Sequence, residues 1–281
     1  MAVRLRQSLA VSCFIIGRGR YHQLALHKIR IIPSWKMAND AQQSKNHTSH
    51  AYNVDIGGMR IKYKDKSDCF TEDHLVSKEP FDQFKHWFEI ACKTPGVGEA
   101  NAVFLGTATK DGIPSVRPVL LKSFGTDGFK FYTNYGSRKA KELEENPNAA
   151  MTFFWEPLRR TVRIEGTVEK TSAEDSDNYF YSRPYHSQMG SVTSRQSTVI
   201  PSRDYLIEKE KELQKQYPDK VPRPDWWGGY ILIPKSVEFW QGQSDRLHDR
   251  IKFRRLQPGE KPDNVLVHEG EDGWVYERLS P

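Results

Sequence analysis

The sequence predicts an α+β domain built on a mostly antiparallel β-barrel, with helices inserted between hairpins and flanking them. Three observations carry this prediction. Strand-like runs are separated by Asp111-Gly112 and Asp127-Gly128, dipeptides suited to tight hairpin turns. Helical patterns fall between hairpins and do not alternate strictly with strands, which disfavours a doubly wound nucleotide fold. The 281 residues include 14 Phe, 12 Tyr and 7 Trp, an aromatic load that disordered chains seldom carry and that needs an interior to pack in.

Taken in order, residues 1–39 hold Arg4, Arg6, Arg18, Arg20, Lys28, Arg30 and Lys36 and no acid, a charge of +7. The whole chain is +6, so residues 40–281 carry 6 − 7 = −1. The positive excess therefore lies outside the expected fold, and a nucleic-acid surface is not expected. An arginine-rich, acid-free opening with interspersed Leu, Ile and Val resembles a mitochondrial presequence; an untargeted disordered tail is the alternative, leaving the compartment cytoplasmic or mitochondrial. Residues 1–50 are set apart on this basis, and 51–281 read as one domain. The longest apolar run, Leu9 to Ile16, is broken by Ser12 and falls far short of the roughly 18 residues that span a bilayer, so no membrane association is expected. Three cysteines without C-x-x-C spacing support neither a disulfide framework nor a zinc site, and no metal is expected.

Pro80 to Lys93 repeats apolar residues at helical spacing (Phe81, Phe84, Trp87, Phe88, Ala91) and stops before Thr94-Pro95-Gly96. Ala102–Thr109, Ser115–Phe124 and Phe129–Thr133 read as a meander. Ser137 to Glu145 reads as a capped helix ending before Asn146-Pro147, and Ala149–Trp155 and Thr161–Lys170 form a hairpin across Glu156-Pro157-Leu158. Residues 172–183 and 202–216 look helical. Gly229–Trp240, His248–Arg255 and Trp274–Leu279 return to strand character.

Several clusters could carry chemistry. Ser137-Arg138-Lys139 puts two cations in the first turn of a helix, where the macrodipole is already positive; a bound phosphate would resolve the conflict, and solvated side chains bent away would also do so. Arg117 and Lys122 flank the apolar run of one strand, but strict alternation puts them on opposite faces, so they share a site only at a bulge or an edge. Alternation aligns Arg246, His248 and Arg250 on one strand face, which calls for either an anionic ligand or salt bridges. Tyr179, Arg183 and Ser187 share a face if the segment is helical, although Pro184 disfavours helix at Arg183. No G-x-G-x-x-G, P-loop or G-x-S-x-G pattern is present.

In combination, Arg117-Pro-Val-Leu-Leu-Lys122, Ser137-Arg-Lys139, Phe154-Trp-Glu-Pro-Leu158, Ser182-Arg-Pro184, Gln196-Ser197, Trp227-Gly-Gly-Tyr230, Glu238-Phe-Trp-Gln-Gly-Gln243, Arg246-Leu-His-Asp-Arg250 and the terminal Glu277-Arg-Leu-Ser-Pro281 resemble the pyridoxine/pyridoxamine 5′-phosphate oxidase family over about residues 70–281. The resemblance implies an FMN-binding split β-barrel, a homodimer with FMN at the subunit interface. It implies oxidation of pyridoxine and pyridoxamine 5′-phosphates to pyridoxal 5′-phosphate, with hydride passing from the substrate C4′ to flavin N5. O2 would reoxidise the flavin to give H2O2, and the amine would leave as ammonia after hydrolysis of an imine. Carried over residue by residue, Arg117, Val119, Leu120, Tyr132, Thr133, Arg138, Lys139, Gln196, Ser197, Trp240 and Arg250 would bind FMN. Lys122, Tyr179, Arg183 and Ser187 would hold the substrate phosphate, with Arg246 and His248 as the catalytic pair over the pyridine ring. Thr161 departs from the family pattern, which has a flavin-touching Gln there. A non-catalytic flavin- or haem-binding split barrel is the alternative, and it would have no use for the second constellation.

Overall fold

One long strand organises the structure. In the computed structural model, which describes Met59, Ile61, Tyr63 and residues 68–281, β7 (Trp227–Gln241) pairs with β6 (Arg160–Lys170) along one edge. Its other edge changes partner, from β4 (Gly128–Asn134) over Trp227–Leu232 to β8 (Asp249–Arg255) over Ser236–Gln241. Pro234, which has no N–H to give a ladder, lies between the two pairings, and the register with β6 shifts between Glu165 and Gly166. Gly166 is required there, since a Cβ would collide with the Ile233 carbonyl. The presequence-like residues 1–50 lie outside the described residues.

The remaining strands extend this frame. The sheet runs β2 (Pro114–Leu120), β1 (Ala102–Ala108), β5 (Asn148–Trp155), β6, β7, β8, β10 (Trp274–Arg278), β9 (His268–Glu269), and β3 (Ser123–Gly125) pairs with β4; every pairing is antiparallel. The α+β, mostly antiparallel expectation is met. The predicted strand Ser115–Phe124 is two strands, because Leu121 N–H leaves the ladder to bond the Asn101 carbonyl at 2.9 Å.

Helix α1 (Pro80–Lys93) begins as its sequence dictates: Pro80 at the first position, and the Glu79 carboxylate accepting from the N–H groups of Phe81 and Asp82 at 2.7 and 2.5 Å. Its apolar face is buried on the barrel. Phe84 meets Phe129 and Phe153 with ring centroids at 5.1 and 5.2 Å, and Trp87 meets Phe239 at 5.2 Å. A smaller cluster of Phe180, Met189, Val192, Val221 and Trp227 sits under helices α3 (Ala173–Ser182) and α4 (Tyr185–Thr193). The sequence reading missed α4: Arg183 and Pro184 are extended, ending one helix and starting the next. Helices α2 (Arg138–Glu145) and α5 (Arg203–Gln216) fall where the patterns put them.

Candidate functional site

The start of α2 gathers cations. Ser137 caps the helix by accepting from Ala140 N–H, and Ala140 and Leu143 anchor it in the core. Lys139 is buried, 7% exposed, and its Nζ donates to Gln196 Oε1 (2.8 Å), Thr133 Oγ1 (3.2 Å) and Ser137 Oγ (3.5 Å). All three partners are neutral. Burial, with Arg117 repulsion added and only partly offset by Glu142, pushes the Lys139 ammonium down to about 8 from its ordinary 10.5. Arg138 is largely exposed; its Nε donates to Glu142 Oε1 at 2.8 Å and its backbone N–H to Ser197 Oγ at 3.1 Å.

Arg117 reaches the same place from β2. Its Nη1 donates to the Leu105 carbonyl (3.1 Å) and Thr107 Oγ1 (2.5 Å), and its Nη2 to Ser115 Oγ and to Glu142 Oε2 (3.3 Å). Glu142 also accepts from the Thr107 and Ser115 hydroxyls at 2.5 and 2.6 Å. Burial acts to raise its carboxyl, but the hydrogen bonds from Ser115, Thr107 and Arg138 outweigh it and hold it down to about 2. Glu142 was absent from the sequence reading; its signal was the i,i+4 spacing from Arg138. Val119 and Leu120 end β2, the edge strand of the sheet, so their backbone has no second strand partner.

The second basic cluster lies alongside. Tyr132 stacks on Tyr179 (centroids 4.0 Å) and on Trp227 (5.7 Å). Lys122 Nζ is 5.9 Å from the Tyr179 ring centroid. The Arg183 guanidinium lies 4.9 Å over Trp227 and donates to Ser191 Oγ at 2.8 Å; burial lowers its pKa. Tyr132, Thr133, Arg183, Ser187, Gln196 and Trp227 line one pocket of about 320 Å³. The end of the β2 ladder at Leu120 frees Lys122 from strict alternation with Arg117. Tyr179, Arg183 and Ser187 likewise converge without one continuous helix, because the extended residues Arg183 and Pro184 join two helices.

Arg246, His248, Trp240 and Arg250 form a separate group. The expectation that Arg246, His248 and Arg250 share a strand face fails, since β8 starts only at Asp249 and Arg246 sits exposed in a turn at φ 70°. His248 Nδ1 accepts the Gln243 N–H at 2.9 Å, which places the proton of the neutral ring on Nε2. The His248 ring packs between Trp240 (5.0 Å) and Tyr63 (6.1 Å). Arg250 donates to Glu238 Oε1 at 2.7 Å and to the Ser280 carbonyl at 2.8 Å. Phe154, Thr161, Trp240 and Arg250 stand in one cross-strand row, so Thr161 borders the group.

The two groups sit at opposite ends of β7. Gly228 pairs with Thr133 of the first, and Trp240 pairs with Arg250 of the second. Twelve residues of strand separate them, roughly 40 Å of chain path.

Residues 94–216 match the family described as pyridoxamine 5′-phosphate oxidase, and residues 227–281 match the pyridoxine 5′-phosphate oxidase C-terminal dimerisation region. A pyridoxine/pyridoxamine 5′-phosphate oxidase of Bombyx mori is 63% identical over 231 residues, covering 81% of this chain and 90% of that protein. A pyridoxine-5′-phosphate oxidase of Bos taurus is 54% identical over 230 residues, covering 81% and 88%. Among solved structures, PhzG from Burkholderia lata superposes with a TM-score of 0.66 at 29% identity, covering 75% of this chain and 97% of that one.

Proposed function

The chain belongs to the pyridoxamine 5′-phosphate oxidase family, and from that premise we propose that it is an enzyme that converts pyridoxine and pyridoxamine 5′-phosphates to pyridoxal 5′-phosphate with FMN as its redox group. The observation that carries the proposal is the buried Lys139 ammonium, flanked by Arg117 and Arg138 and hydrogen-bonded only to neutral oxygens. A cation kept from water and given no carboxylate to touch fits a phosphate. Three cations and one carboxylate, Glu142, leave +2 against a phosphate monoester of about −2.

In this reading Arg117, Arg138 and Lys139 grip the flavin phosphate. Thr133, Gln196, Ser197 and the backbone of Val119 and Leu120 border the cofactor. Lys122, Tyr179, Arg183 and Ser187 grip the phosphate of the substrate, and Trp227 fixes the Arg183 plane from below. Two separate phosphate grips hold the reacting carbon in place, so orientation is the chain's main contribution. When bound, FMN supplies the two-electron acceptor for the substrate C4′ hydride and hands the electrons to O2, giving H2O2. His248 presents Nε2–H, and Arg246 a guanidinium, to the oxygen or nitrogen on C4′.

The strand path between the groups supports a homodimeric site: the C-terminal region matched as a dimerisation region carries Trp240, Arg246, His248 and Arg250, and we assign these to the flavin held by the other copy. A carrier without catalysis has no need of this second group. Anaerobic addition of pyridoxine 5′-phosphate to the flavin-loaded protein is expected to bleach the flavin band; an unbleached spectrum with bound substrate would reject the activity. The acid-free residues 1–39 are proposed as a mitochondrial import signal, and a cytosolic fluorescent fusion of residues 1–50 would reject it.

A further inference from the structure

We infer that Glu142 is a positioning residue for flavin-phosphate recognition, one that sets where Arg117 and Arg138 point without itself touching the ligand. The inference rests on the reading of the α2 start as a phosphate grip and goes beyond it, because a carboxylate is the group least expected beside a bound phosphate. Glu142 is 4% exposed, yet its two oxygens divide the work: Oε1 takes Arg138 Nε, and Oε2 takes Arg117 Nη2 together with the Thr107 and Ser115 hydroxyls. Those two hydroxyls in turn accept from Arg117, so the carboxylate anchors a closed network across β1, β2 and α2. Each guanidinium has five N–H donors in a rigid fork, and fixing one edge of that fork aims the other.

Arg117 commits both Nη groups to protein and keeps only its Nε–H, whereas Arg138 keeps both of its Nη groups. Arg138 gives Nε to Glu142 and its side chain is 60% exposed. Lys139 differs, because its three contacts do not include Glu142, so Glu142 acts on Lys139 through charge and not through contact. The geometry therefore separates two roles: Lys139 supplies a buried charge, while Glu142 supplies direction to the arginines.

Riboflavin, which is FMN without its phosphate, separates this role from a general structural one. The quantity to measure is the ratio of riboflavin to FMN dissociation constants for the full-length flavin-free protein, by fluorescence quenching, in wild type, Glu142→Leu, Glu142→Asp and Glu142→Gln. Leu removes the acceptor; Asp keeps the charge but draws it back by one methylene. Both are expected to lower the ratio at least about tenfold by weakening FMN alone, because the charge-assisted contacts that aim two arginines are lost. Gln keeps one acceptor oxygen but loses the other and the charge, so its ratio is expected to fall between those of wild type and Glu142→Leu. Equal weakening of FMN and riboflavin would make Glu142 merely structural and overturn the inference, as would an unchanged ratio in Glu142→Asp, which carries the test if Glu142→Leu does not fold. A wild-type protein that binds riboflavin as tightly as FMN would instead overturn the phosphate grip itself.

Discussion

If Lys139 grips the flavin phosphate as proposed, FMN binding is a proton-linked reaction, and the direction follows from the surroundings of Lys139. In the flavin-free protein burial and the nearby Arg117 hold its ammonium down to about 8. A phosphate at the α2 start would add a negative charge and return it toward the ordinary 10.5, so binding must take up protons in between. At pH 9 the free side chain is about one-tenth protonated and the bound one nearly fully so, an uptake of ~0.9 proton per flavin, against ~0.1 at pH 7. The sign is fixed: affinity is fully present below about 8 and falls as the pH rises above it, by about tenfold between pH 7 and 9. The phosphate, with its second ionisation near 6, adds about 0.1 proton of opposite sign at pH 7 and almost nothing at pH 9. Titration calorimetry of the flavin-free protein in buffers of different ionisation enthalpy measures the uptake directly, and Lys139→Met is the control that should abolish it. An additional mark is opposite in sign. The flavin-free fold itself should gain stability as the pH rises from about 8 to 10.5, since the unfolded chain holds the proton longer. Uptake below about 0.2 proton at pH 9, equal in wild type and Lys139→Met, would refute the buried-cation argument.

Further predictions test the site and the frame. Co-expressed Lys139→Met and Arg246→Ala chains should regain about a quarter of wild-type turnover, because half of the dimers are mixed and each holds one intact site; no recovery would place all groups on one chain. Arg246→Ala alone should cut turnover at least about tenfold while FMN stays bound, and normal kinetics would remove Arg246 from the reacting centre. Phe84→Ala, at a fully buried ring beneath α1, should cost about 3–5 kcal/mol in denaturant unfolding, and a loss under 1 kcal/mol would mean α1 is not seated as described. Glu142 contributes stability that is present above its ordinary 4.5 and lost as the pH falls toward about 2, so Glu142→Gln should flatten the acid limb of the unfolding profile; an unchanged limb would contradict the pairing.

The sequence made most of the frame legible because its signals are local. Asp111-Gly112 and Asp127-Gly128 mark turns, and the Phe81, Phe84, Trp87 spacing marks a buried helix face. The misses were positions where tertiary partners decide the outcome. Asn101 draws Leu121 out of the ladder and divides one expected strand into two, which frees Lys122 from the parity that set it against Arg117. Pro184 does keep Arg183 out of the helix, as its sequence position implies, but the second helix that starts after it, which turns Ser187 back to the same pocket, carries no strong local signal. Alternation was wrongly extended to Arg246, because the Gln243 N–H to His248 bond closes a turn before β8 begins. Trp227 and Glu142 went without a role for the same reason: one serves as a platform and the other as an anchor, and each is defined only by what folds against it.

The charge pattern sets how the proposed shared site would depend on its ligands. Along one end of β7 stand Arg117, Lys122, Arg138, Lys139 and Arg183, with Glu142 the carboxylate built into their network. At the other end Arg250 is answered by Glu238, while Arg246 is turned out to solvent. Bringing the second end of one copy over the first end of another gathers like charges, which repel each other in a site shielded from water. Two phosphates, one from flavin and one from substrate, would cancel most of that repulsion. Ligand binding and dimer closure should therefore favour each other, since anything bound only by the closed pair stabilises it by mass action.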